Sequence, residues 1–180
     1  MRSVTSEVLG LIQLGTRLDF LLDKLTKPIS AKFPDLDIGI SDPLGDPTEA
    51  YDSRRDQFHS TRILALLEDH IRSVRFDRLL GVASFDLYVP GMNFVFGEAR
   101  LPGRVGVIST HRLLPRQPDQ TSLLQDRVVK EAVHEIGHMK GLKHCERVSC
   151  VMHFSESLAD TDIKSPNLCE ECELQLKVSA

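Results

Sequence analysis

No cysteine occurs before position 145 in this chain, no apolar run approaches the length of a membrane span, positive charge is not in excess, and no internal repeat or low-complexity segment interrupts its 180 residues. Each absence excludes something. A bilayer crossing needs roughly twenty consecutive apolar residues. The N-terminal stretch also carries Glu7 and Gln13 where a signal peptide would need an unbroken apolar core. A formal charge of −4 gives no clustered cation to draw nucleic acid or an anionic membrane, so neither is an expected partner. The expected compartment is the cytoplasm. The four cysteines all follow His144, as C-x4-C (Cys145, Cys150) and C-x2-C (Cys169, Cys172). In a reducing compartment such short spacings suit metal ligands, with a pair of disulfides or free buried thiols as the alternative.

What is present fits one domain of ordinary composition, 41% hydrophobic and 27% charged. Residues 8–12 read as a short buried strand. The stretch 17–32 places Leu18, Leu21, Leu22, Leu25 and Ile29 at helical spacing. A second strand is expected over 36–40, a Pro- and Asp-rich loop after it, and a second helix over 53–71. Three β-like runs follow, 79–89, 94–99 and 105–110, divided by Pro90-Gly91 and Pro102-Gly103. Connections this short cannot make a parallel crossover, so at least one strand runs antiparallel. The third helix is expected from Thr121 or Ser122 to Leu142, with Ser122 and Gln125 spaced as a capping box. Beyond it the chain reads as irregular, with a last turn of helix expected over 169–176.

The third helix carries the chemistry. His134 and His138, one turn apart, project about 6 Å apart from one face, at the edge of the apolar stripe of Leu124, Val128, Val129, Ala132, Val133 and Ile136. Glu135 falls toward the same side. The string H-E-x-x-H places two zinc-binding imidazoles beside a carboxylate that can reach a metal-bound water. Gly141 and His144 extend it to H-E-x-x-H-x-x-G-x-x-H. Only a left-handed residue such as glycine lets the chain reverse and bring a third histidine back to the ion. Three histidines and a water complete a catalytic tetrahedron, which leaves no place for Cys145. Cys145, Cys150, Cys169 and Cys172 then supply the four thiolates of a second, closed site. Two zinc ions per chain are expected, and the second anchors the segment that holds His144.

HEIGHMKGLKHC, followed by C-x4-C-x-M over Cys145, Cys150 and Met152 and by the C-x-x-C of Cys169 and Cys172, resembles the archaemetzincins, zinc metalloproteases of the metzincin clan. The resemblance implies a single compact metzincin-like α/β (α+β) domain with a twisted mixed sheet of about five strands, one an antiparallel edge strand, and two backing helices. On that layout residues 1–120 hold the sheet and backing helices, 121–142 the active-site helix, and 143–180 a zinc-stapled C-terminal segment. It implies a catalytic zinc on His134, His138 and His144, Glu135 as general base, a methionine turn at Met152, and a structural zinc on the four cysteines. It also implies that the edge strand, with Phe94, Val95, Phe96 and Gly97, lies above the cleft, where it could pair with an extended peptide.

The implied activity is hydrolysis of peptide bonds in a peptide or protein substrate by a monomer. A zinc protein that binds peptides or partners without cleaving them is the alternative, and Glu135 counts against it. A thiol redox role would leave the histidines unexplained. With no cysteine ahead of the histidines, latency through a cysteine switch is not expected. His59, His70 and His111 are expected at the surface or in loops, His153 at the cleft, and Lys140 and Lys143 as solvated charges.

Overall fold

A computed structural model describes residues 6–16, 19–117 and 119–179. Its centre is a five-stranded sheet in the order β2 (Leu36–Ile40), β1 (Glu7–Leu14), β5 (Arg78–Ala83), β8 (Val105–Ser109), β7 (Gly97–Ala99). The first four are parallel, and β7 runs antiparallel to β8 at the edge. This is the mixed sheet with an antiparallel strand that the short connections require, and that strand lies at the edge, as the family resemblance implies.

The inner strands are covered on both faces, which is why they read as nearly continuous apolar runs. Leu9, Leu11, Leu80, Val82 and Ile108 face a core shared with α1 (Asp19–Lys32) and α3 (Thr121–Met139). Ile12, Leu14, Leu79, Ala83, Val105 and Val107 face α2 (Ser60–His70) through Ile63, Leu64 and Leu67. Arg17 and Leu18, expected to open the first helix, lie outside the described residues.

Several boundaries differ from the sequence expectation, each for a local reason. The second helix begins at Ser60 instead of residue 53. The residues before it form a hairpin of β3 (Tyr51–Asp52) and β4 (Gln57–His59), closed by Asp56 in the left-handed region and by the Arg54 N–H donating to Asp52 Oδ1. The run 79–89 is not one strand. It leaves the main sheet after Ala83, and Asp86, gripped by Arg112 at 2.6 and 2.8 Å, turns β6 (Leu87–Tyr88) onto β4 in a second, three-stranded sheet. Within 94–99 the ladder to β8 spans the last three residues, and the Phe96 carbonyl accepts one further bond from the Ser109 N–H. Val95 instead bridges Leu87, so the chain crosses here from the small sheet to the large one.

α3 forms no Ser122–Gln125 capping box. Gln120 is its N-cap, without a side-chain hydrogen bond. It ends at Met139 because Gly141, at φ +99°, reverses the chain, with the Leu142 N–H donating to the Gly137 carbonyl. The tail is more ordered than its composition suggested. It contains α4 (Leu158–Ile163), opened by a capping box of Ser157 and Asp160, and α5 (Glu170–Ser179).

Candidate metal centre and cleft

α3 delivers His134 and His138, both buried, and the Gly141 reversal delivers His144 at the rim. Their ligating nitrogens all lie within 4.8 Å of one another. His134 Nδ1 is 2.8 Å from the Val151 carbonyl and His138 Nδ1 2.7 Å from that of Leu142. A carbonyl can only accept, so both Nδ1 atoms carry the proton and both Nε2 atoms present lone pairs. Those two Nε2 atoms stand 3.0 Å apart. Lone pairs facing each other at that distance repel unless a cation lies between them.

Protonation would remove the lone pairs, and the surroundings oppose it. Burial, with the Lys164 ammonium and the neighbouring histidine adding to it, holds His134 well below the ordinary imidazole range. Burial lowers His138 as well, and burial with His138 beside it brings His144 down to about 4. Three neutral, converging imidazoles fit a zinc ion.

The cysteines meet separately. Cys145 and Cys150 come from the loop after His144, Cys169 from the turn before α5 and Cys172 from its first turn. The Cys145–Cys169 and Cys150–Cys172 sulfurs are each 3.8 Å apart, and all four lie within 4.8 Å of one another. A disulfide would need about 2.05 Å. A tetrahedron with Zn–S bonds of about 2.3 Å has edges of roughly 3.8 Å, so the four thiols fit a closed zinc site. The two centres share a backbone: the Cys145 N–H donates to the Met152 carbonyl at 2.9 Å, and His153 Nδ1 lies 2.9 Å from the Cys145 carbonyl. His153 thus braces the junction and does not line the cleft.

Met152 is fully buried against α3 at Gly137, in the turn between His134 and His138, where any added Cβ would collide with its sulfur. Glu135 is buried too, and its Oε2 has no partner within the protein. Burial raises its carboxyl well above the usual range; Glu131 adds to this and Lys164 opposes it.

In front of these groups lies a cleft of about 350 Å³ lined by His134, Glu135, His138 and His144 and by Phe94, Val95, Phe96 and Gly97. The structure thus brings these four residues, of which only Gly97 belongs to β7, together with the histidines. Gly97 has to be small. A Cβ there would stand 2.5 Å from Glu135 Oε1 and 2.8 Å from the Val107 carbonyl oxygen.

The profile of peptidase family M54 matches residues 36–178. The chain belongs to this family. The M54 chain is similar to the archaemetzincin of Methanopyrus kandleri, 48% identical over 128 residues that cover 70% of this chain and 69% of that protein. It is also similar to the archaemetzincin of Pyrococcus furiosus, 37% identical over 173 residues, 92% of this chain and 90% of that one. The crystal structure of Methanopyrus kandleri archaemetzincin superposes with a TM-score of 0.85 at 38% identity, covering 99% of this chain and 97% of its own. As an M54 peptidase, the protein is a zinc-dependent metallopeptidase.

Sequence reasoning missed part of the site. Met92, Leu101 and Phe154 line the cleft, and so does Glu131, which only its place one turn before Glu135 could have signalled. Lys140 is not a solvated charge, since its Nζ lies 2.6 Å from Asp35 Oδ2 with 12% of the side chain exposed. His59 and His70 are half-buried, each with one ring nitrogen enclosed and unpartnered, while His111 is exposed.

Proposed function

We propose that His134, His138 and His144 hold the catalytic zinc, that Glu135 is the general base, and that Cys145, Cys150, Cys169 and Cys172 hold a second, structural zinc. The observation that carries the reading is the pair of Nε2 lone pairs 3.0 Å apart beside a buried carboxylate oxygen with no partner. Bound there, zinc would supply Lewis-acid polarisation of the scissile carbonyl and ease deprotonation of water. The protein's own groups do the rest. Glu135 Oε2 accepts the proton of the attacking water and returns it to the leaving amine, which suits a carboxyl whose affinity for protons burial has raised. The Val151 and Leu142 carbonyls fix the tautomer and orientation of His134 and His138. Met152 serves as an apolar floor beneath them.

β7 is the sheet edge beside the cleft, and its outer main-chain groups support docking of an extended peptide next to Phe94, Val95, Phe96 and Gly97. The same reading takes a peptide or protein as substrate, a monomer as the working unit and the cytoplasm as its place. Four unpaired thiols and a charge of −4 support it, and no helix among the described residues is long and apolar enough to cross a membrane.

Metal analysis of protein purified without added zinc tests the two-site assignment. Two ions per chain are expected, with one lost on replacing Cys169 and Cys172 together by Ala and the other lost on His134→Ala. A single ion that survives the cysteine replacement and needs His134 would refute the second site.

A further inference from the structure

Lys164 is a lysine with none of its side chain exposed. It follows α4, a segment tied to α3 by several polar contacts. Arg127 forks onto Asp162 at 2.7 and 2.8 Å, and Thr161 Oγ1 donates to Glu131 Oε1 at 3.1 Å. Lys164 Nζ lies 2.9 Å from the same Glu131 oxygen as an ion pair and has no other partner among the described residues. Glu131 is 2% exposed and reaches the cleft wall. It precedes Glu135 by one helical turn and so shares its face. Two buried carboxylates and one buried ammonium therefore stand together behind the cleft.

Stability does not account for this arrangement. A buried ion pair is commonly no better than an apolar pair of the same volume, whereas stripping away one partner is strongly destabilising. The Arg127–Asp162 fork already ties the two segments together. What Lys164 does supply is compensation, because carboxylates one turn apart in a poorly polarisable interior repel each other. We propose that Lys164 is a positioning residue: by pairing with Glu131 it cancels the like charge one turn from Glu135, so that Glu135 keeps its place against Gly97 at the cleft wall. The proposal rests on Glu135 being the base.

The test compares wild type, Lys164→Met, Lys164→Met with Glu131→Gln, and Glu135→Gln for kcat, KM, thermal midpoint and bound zinc on one cleaved peptide. Lys164→Met should keep its zinc, hold KM within about threefold and lose at least about 30-fold in kcat, part of the roughly 10² to 10⁴ that general-base work contributes. Its midpoint should fall by about 10 °C. Adding Glu131→Gln removes the uncompensated charge and should recover most of the midpoint and at least about tenfold of the kcat. A merely structural lysine would not show that rescue of kcat.

Unchanged kcat in Lys164→Met overturns the proposal. So does a double variant that folds and stays as slow as the single one. Should Lys164→Met fail to fold, the double variant decides alone: a kcat near wild type supports compensation, and a slow but folded protein refutes it. Turnover that survives Glu135→Gln removes the base assignment and this proposal with it. Loss in Glu135→Gln beside an intact Lys164→Met overturns this proposal alone.

Discussion

Gly97→Ala tests whether the edge strand and Glu135, the proposed general base, are a single packed unit. The new methyl carbon would stand 2.5 Å from Glu135 Oε1, 2.8 Å from its Cγ and 2.8 Å from the Val107 carbonyl oxygen. Comfortable contacts of this kind are about 3.5 to 4.0 Å, so roughly 1 Å must be found. Val107 is backbone of β8 paired to β7 and cannot give way alone. Either β7 lifts from β8 or Glu135 rotates out. Overpacking of this kind costs about 1 to 3 kcal/mol, offset in part by the lower chain entropy of unfolded Ala relative to Gly. A net cost of about 1 to 2 kcal/mol in a chain of this size lowers the thermal midpoint by about 2 to 8 °C. The effect on catalysis is larger, since a 1 Å displacement of a catalytic group costs about 10² in rate. Steady-state kinetics with zinc analysis and a thermal melt should show metal retained, a modest loss of stability and kcat down by about two orders of magnitude. A Gly97→Ala protein with wild-type kcat would refute the packing of Glu135 against β7.

Two further outcomes follow from the same geometry. Gly137→Ala would ordinarily stabilise a helix by about 1 kcal/mol, yet here the added Cβ collides with Met152 Sδ; denaturant unfolding should show a net loss of about 1 to 3 kcal/mol, and a stabilised protein would mean Met152 does not pack there. In zinc-free protein, His134, His138 and His144 are held below their ordinary values, His144 at about 4. Between roughly pH 6.5 and that value the unfolded chain binds protons that the folded chain refuses, so stability should fall as pH drops through this window. Glu135, raised instead of lowered, pulls the opposite way over its own range, so thermal melts of chelator-treated Glu135→Gln should show a steeper acid dependence than wild type.

The clustering of three histidines was legible because its logic is local: two histidines one turn apart, a glycine that permits φ +99° and a histidine beyond it. The strands of the main sheet followed from apolar runs and the presence of an antiparallel strand from connection lengths, while its place at the edge came from the resemblance to the archaemetzincins. The break at Ala83 did not follow, since residues 79–89 are largely apolar whichever sheet they join. Ser84 and Asp86 are the only strongly polar residues of that run, and the partners of Asp86, Arg112 and Gln57, lie far along the chain. Lys164 and Glu131 were invisible for a related reason. Charged residues in a polar tail and on a helix read as solvated, and their burial depends on α4 folding back onto α3, a contact that no local pattern encodes.

Cleavage of a broad peptide library by wild type and by Glu135→Ala, read by mass spectrometry with chelator and zinc add-back as controls, tests the central claim most directly. Wild type should give zinc-dependent products whose ends show whether it trims termini or cuts within chains. Glu135→Ala should keep its metal and fold but lose a factor of about 10² to 10⁴ in rate. Equal, chelator-sensitive cleavage by both proteins would contradict the assignment of Glu135 as the base on which the mechanism depends.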